Sequence, residues 1–238
     1  MLNDMERLLQ KYQIKGPTPD LRLSLILRRF ALLISLVAAG SNLAFANPLP
    51  QDCGSLDNHY GPYDYTNSDH FHNKLPIVEK FHFSREQELS TFDPRSKTKV
   101  DFGYTLRTFP NHHRALMALT RYLKFHPDQE WKDFRPECYF LRALAFRPGD
   151  AVAHMIYAFY LQQNKKLPEA EQSYLTAIKL SPEYAEAHYN LGLLYTDQKR
   201  WPQAREHAER AYALNYPLPG LRKRLTEAGQ WNKTSTQP

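Results

Sequence analysis

AVAHMIYAFYLQQNKKLPEAEQSYLTAIKLSPEY at residues 151–184 and AEAHYNLGLLYTDQKRWPQAREHAERAYALNYPL at residues 185–218 are two copies of one pattern, 34 residues apart. Alanine recurs at Ala151 and Ala185, Ala153 and Ala187, Ala170 and Ala204, and Ala177 and Ala211, and His154 matches His188. A fixed period of this length predicts a solenoid of helix pairs. One pair cannot bury its own apolar face, so neighbours must stack. The stack presents a concave surface suited to holding another polypeptide, which points to binding before catalysis.

Within the first copy, Tyr157, Ala158, Leu161, Ala170, Tyr174 and Ala177 fall three or four residues apart in two runs, the spacing of apolar helix faces. The second copy repeats this with Leu191, Gly192, Tyr195, Ala204, Ala208 and Ala211. Small residues at Ala158, Gly192, Ala170 and Ala204 allow antiparallel helices to approach closely. Asp150, the run Ser181, Pro182 and Glu183, and the prolines Pro168 and Pro202 mark helix starts, because a short polar side chain caps free amides and proline in the first turn forfeits no hydrogen bond.

These residues resemble the tetratricopeptide repeat family. His188, Leu191, Gly192, Tyr195, Trp201, Ala204 and Ala211 match its signature in the second copy; Tyr157, Ala158, Leu161, Leu167, Ala170, Tyr174, Ala177 and Pro182 match it in the first, with Tyr-Ala in place of Leu-Gly. Counting back one period, Tyr139, Phe140, Ala143 and Pro148 match the second helix of an earlier, degenerate repeat at 112–150, whose first helix is expected at 112–125 and whose linker, 126–136, is long. Pro219 and Gly220 break the chain, and LRKRLTEAGQW at 221–231 is expected to cap the stack as an amphipathic helix within a unit spanning 219–231, ahead of a disordered tail at 232–238. The fold expected is therefore all-α: a tetratricopeptide-like solenoid of about three helix pairs with a C-terminal capping helix and an irregular, partly helical N-terminal segment.

The N-terminus bears on location. Arg28 and Arg29 precede FALLISLVAA at 30–39, and an A-x-A site follows at 44–46. This order predicts a secretory signal peptide cut before Asn47 and a periplasmic or secreted protein. Left uncut, residues 30–46 sit at the short edge of a membrane span and would anchor the chain in the inner membrane. Membrane contact is expected only in that second case. Six of the 31 basic and three of the 25 acidic residues precede Asn47, leaving 25 against 22, a balance too even to attract phosphate backbones. No nucleic-acid partner is expected.

The two cysteines, Cys53 and Cys138, both follow the export signal. An oxidising compartment invites a disulfide between them; the alternative is that Cys138, among Tyr139, Phe140 and Leu141, is a buried core thiol and Cys53 is free.

Residues 47–111 have a different texture. Asn, Asp, Gly and Pro alternate with aromatics at 58–67, which reads as a loop packed onto something. Residues 77–89 suggest one short helix, and 93–101 is polar and turn-like. Histidines lie among carboxylates here, and His70, His72, His112 and His113 are the candidates for holding a metal. Histidine among aromatics is more commonly a packed side chain, and there is no H-E-x-x-H, C-x-x-C, G-x-S-x-G or phosphate-cradling glycine loop. No enzyme activity and no cofactor are expected. The rival reading is a small metal-binding or enzymatic domain at 47–113 docked by the repeats.

The resemblance implies that the first helix of each repeat lines the concave groove. The residues it places there are Val152, Met155, Phe159 and Gln162 in one unit and Glu186, Tyr189, Leu193 and Thr196 in the next. Family members that clamp a partner's terminal carboxylate do so with Lys, Arg and Asn; these positions are mainly apolar and suit an apolar peptide or helix, or the protein's own 60–71 segment. The function expected is a scaffold or adaptor binding a protein or peptide partner in the cell envelope.

Overall fold

A computed structural model describes residues 49–89, 98–127, 131 and 135–231. The export signal or anchor expected at 30–46 and the tail at 232–238 lie outside these residues. After a 3-10 turn at Gln51–Cys53, the helices in chain order are α1 (Ser68–Asn73), α2 (Leu75–His82), α3 (Arg85–Leu89), α4 (Thr98–Thr108), α5 (His113–Phe125), α6 (Glu137–Phe146), α7 (Ala151–Gln163), α8 (Leu167–Leu180), α9 (Ala185–Asp197), α10 (Trp201–Ala213) and α11 (Gly220–Glu227). Among the described residues there are no strands, and α7 with α8 and α9 with α10 form stacked antiparallel pairs.

The period seen in sequence is also a period of hydrogen bonds. α7 and α9 each end with a lysine in the left-handed region, Lys165 at φ 62° and Lys199 at φ 58°. The amide one residue later reaches back to the helix, Lys166 to the Leu161 carbonyl at 3.0 Å and Arg200 to the Tyr195 carbonyl at 2.9 Å, closing both helices in a Schellman-type turn. His154 and His188 pin the next repeat to the previous turn: each Nε2 donates to the carbonyl of a proline six residues earlier, Pro148 at 3.0 Å and Pro182 at 3.2 Å. The matched histidines are structural.

Helix starts follow the sequence at three of the four expected places. The Asp150 carboxylate accepts from the Val152 and Ala153 amides at 3.1 and 3.0 Å, a cap contributing about 1 kcal/mol, and Pro168 and Pro202 occupy the first turns of α8 and α10. The run Ser181 to Glu183 does not cap α9. Its boundary residue is Tyr184, whose side chain makes no capping bond, because the chain turns through residues 181–184 before the helix begins.

Ala158, Ala170, Ala177, Leu191, Ala204, Ala208 and Ala211 are wholly buried. The tightest approach is at Gly192, where an added Cβ would lie 2.6 Å from Leu221 Cδ2 of α11. That contact shows how α11 covers the last repeat: Leu221 and Leu225 point inward, and Gly229, at φ 69°, ends the helix. Trp231 then packs edge-on against Tyr212 at 5.9 Å.

The region before the repeats departs from expectation in two places. The segment read as one helix over 77–89 is two, α2 and α3, broken where Phe83 turns into the core. The polar, turn-like reading of 93–101 fails at its C-terminal end, because α4 starts at Thr98 and buries Phe102 and Leu106 one turn apart. Thr105 makes a wet-looking helix dry by donating to the His82 carbonyl at 2.9 Å. Tyr60, Tyr63, Tyr65 and Tyr104 pack around Leu75, Val78 and Phe109 in a small core of their own.

Two devices fasten the 3-10 turn to α6. Cys53 and Cys138, both fully buried, form a disulfide. Beside it the buried Arg142 guanidinium donates to the carbonyls of Cys53, at 3.1 Å, and Ser55.

Candidate functional site

α5 packs beside α7, and α7 beside α9, the first helices of the two stacked pairs; between the three lies a recess of about 280 Å³. Val152, Met155 and Ile156 of α7 form its apolar floor; His113, Arg114, Met117 and Arg121 come from α5; Tyr184 and Glu186 come from the start of α9; Glu88 closes it from α3. Three helices line the recess, and α5, which precedes the two stacked pairs, supplies one wall.

Of the eight groove residues expected from sequence, Val152, Met155 and Glu186 meet in this recess. Gln162 accepts from the Tyr174 hydroxyl at 2.9 Å and donates to Asp197 at 3.5 Å. Tyr189 is buried, tilted against Tyr216 with ring centroids 4.5 Å apart. Thr196 is buried with its hydroxyl on the Gly192 carbonyl at 2.8 Å. Leu193 packs against the core and Phe159 is half-buried. The residues that the sequence reading missed, Met117, Arg121, Arg114 and His113, are spaced three or four apart on α5, the same helical period that revealed α7 and α9.

The missed residues make the recess more charged than the α7 and α9 positions alone implied. Arg114 bonds Glu88 through two nitrogens, at 2.8 and 2.7 Å, and Glu79 at 2.9 Å. Arg121 donates to the Glu88 carbonyl at 2.7 Å. His113 bonds the Asp150 carboxylate at 2.8 Å. Burial pushes the Asp150 carboxyl up, but His113, the Ala153 amide and Asn111 outweigh it and hold it below the ordinary carboxylate range. Glu186 is the exception. Burial raises its pKa, opposed only by the Tyr184 hydroxyl at 3.5 Å.

The histidines singled out as metal candidates do not converge. His70 Nδ1 accepts from the Asp64 amide at 3.0 Å, and His72 Nδ1 lies 2.6 Å from the Ser68 carbonyl. His112 caps α5: Nδ1 accepts from the Ala115 amide at 3.2 Å, so Nε2 carries the proton and donates to Glu79 at 3.1 Å. Burial lowers the His112 pKa and keeps the ring neutral. Among the described residues, the one set of three ligand-type atoms within reach of each other is Asp52, Cys53 and Cys138, and its two sulfurs are already bonded.

Family profiles match the stacked pairs: one described as TPR repeat spans residues 160–199, and one described as Tetratricopeptide repeat spans 185–217. Residues 160–217 are tetratricopeptide repeats. Among solved structures, this TPR protein is similar to MamA, at 17% identity over 65% of this chain and 82% of that one with a TM-score of 0.47. It is also similar to pilF of Pseudomonas aeruginosa, at 25% identity over 56% and 61% of the two chains with a TM-score of 0.43. No curated protein matches it significantly. TPR arrays are protein-interaction scaffolds, and a protein is the partner this one implies. Among the described residues, no helix is long and apolar enough to cross a membrane.

Proposed function

We propose that this TPR protein is an exported, non-catalytic adaptor that holds a peptide segment of a cell-envelope protein in the recess between α5, α7 and α9. The observation that carries this reading is the recess itself, with an apolar floor of Val152, Met155 and Ile156 on the face shared by successive first helices. Export is supported by the order of charged flank, apolar stretch and A-x-A site at 28–46, and by a buried disulfide, which persists in oxidising compartments. His70, His72, His112 and His113 are engaged with backbone amides, a backbone carbonyl and a carboxylate, which supports the adaptor over a metal-binding domain.

The test is capture from the envelope fraction by the mature chain, with N-terminal sequencing of that chain. We expect it to begin at or near Asn47. Replacing the half-buried Val152 and Met117 by glutamate should abolish capture while leaving the helical circular dichroism and melting temperature nearly unchanged. Undiminished capture by that variant removes the recess as the binding site.

A further inference from the structure

Glu186 differs electrostatically from the other charged groups of the recess. Arg114 is matched by Glu79 and Glu88, Arg121 by the Glu88 carbonyl, and His113 by Asp150. Glu186 contacts no cation among the described residues; its polar contact is the Tyr184 hydroxyl. Glu186 is half-buried, and a carboxylate partly withdrawn from water without a cation loses solvation that a cationic partner restores. Its surroundings are aromatic. Burial first, then the Glu186 charge, push the phenols of Tyr184 and Tyr174 well above their ordinary range and that of Tyr216 to about 12. Tyr184 and Tyr216 are only half-buried, and Tyr189 is tilted against Tyr216. Glu186 and Tyr184 line the recess together, and a carboxylate beside an electron-rich ring in such a recess is matched by an ammonium group, which gains from both the charge and the ring.

We propose that the Glu186 end of the recess is a cation seat that takes a lysine side chain of the bound peptide, while a neighbouring apolar side chain enters between Val152, Met155 and Ile156. This rests on the recess being the binding site and adds the chemistry of its ligand: a segment alternating basic and apolar residues. An acidic terminus is the wrong partner, because it would bring like charge to Glu186.

The full mature chain is titrated into three dye-labelled nonapeptides that alternate leucine with lysine, glutamine or glutamate, followed by fluorescence anisotropy at pH 7. The lysine peptide should bind at least tenfold more tightly than the glutamine peptide, and the glutamate peptide should bind weakest. Glu186→Gln, of equal size, should erase the lysine preference without lowering the melting temperature.

A second readout needs no variant. In the wild-type chain, lysine-peptide affinity should fall as pH drops from 7 toward 4.5 and Glu186 takes up a proton, with glutamine-peptide affinity following only the common background of His113, Asp150, Glu88, Arg114, Arg121 and the four tyrosines. Equal affinity for the lysine and glutamine peptides, a preference for the glutamate peptide, or a lysine preference that survives in Glu186→Gln overturns the cation seat. If the glutamine peptide binds as tightly as the lysine peptide, and Val152→Glu weakens both, the recess stands and the cation seat falls. If none of the three binds, the seat is overturned, and the envelope capture assay decides the recess on its own.

Discussion

The repeats at 151–218 and the segment at 49–111 are held by different kinds of bond. In the repeats each device recurs after 34 residues: the left-handed lysines 165 and 199, the histidine-to-proline-carbonyl bonds of His154 and His188, and the buried alanines 170 and 204. All of them act between neighbours in the chain. The front segment has no repeated device and is fastened by long-range bonds, each used once. The disulfide closes 85 residues of separation, Asn111 bridges the carboxylates of Asp64 at 2.8 Å and Asp150 at 3.0 Å, and Glu79 joins His112 and Arg114. A solenoid gains stability unit by unit from nearest neighbours. A non-repeating strap must overcome a large loop-closure entropy before any contact forms, so covalent and charged fasteners belong there.

The largest test of this contrast is removal of the disulfide. In the chain-entropy model, opening a loop of this length costs about 4 to 5 kcal/mol, so Cys53→Ala should shift the urea midpoint far more than any single change in the repeats. A shift below about 1 kcal/mol would mean that Arg142 and the polar bonds suffice to hold the strap.

Next in size is overpacking of the repeat contact. Ala204 is fully buried, and Ala204→Leu should cost about 1 to 3 kcal/mol, while Glu209→Gln on the exposed face of α10 should leave the melt unchanged. Equal effects would mean that α10 presents another face to the core.

Histidines and carboxylates act in separate pH windows. His154 and His188 lie in the repeats along with His207, and their pKa values fall below the ordinary 6.5, in each case first through burial. His188 and His207 meet at 2.9 Å through their Nδ1 atoms, so protonating both sets like charges in contact. A depressed histidine pKa means that the unfolded chain binds more protons below 6.5, and stability is therefore lost as pH falls from about 6.5 toward the folded-state values. The carboxylates Asp64, Asp150 and Glu79 are held low by their partners, and their contribution is lost only on further acidification through the ordinary carboxylate values of 3.8 and 4.5. His207→Phe should flatten the melting-temperature profile in the upper window and leave the lower one unaltered. An unchanged upper slope would assign it to the other buried histidines, His154, His188 and His112.

The smallest effect is expected at the turns. Lys199→Gly relieves a left-handed residue at the end of α9 but raises the entropy of the unfolded chain, so the net gain should stay within about 1 kcal/mol. A loss of several kcal/mol would mean that the lysine side chain, not the backbone, holds that turn.

The four repeat helices were legible because period, small residues and first-turn prolines all pointed the same way. α4 was not, because the polar start of its sequence hides Phe102 and Leu106, and because Thr105 loses its polarity only after meeting the His82 carbonyl. The recess was half legible. Positions 152, 155 and 186 followed from the family resemblance, whereas 113, 114, 117 and 121 sit on a helix outside the residues that carry that resemblance most clearly.

By itself the sequence determined the helical period, the stacked pairs and their tetratricopeptide character, since these depend on patterns repeated within 34 residues. Tertiary structure alone decided that Cys53 and Cys138 pair, that His112 caps a helix while His70, His72 and His113 bond an amide, a carbonyl and a carboxylate, and that Glu186 stands at the recess without a cation among the described residues. Each of those outcomes depends on which side chains are brought together across long stretches of chain. Residue type and spacing carry no record of that.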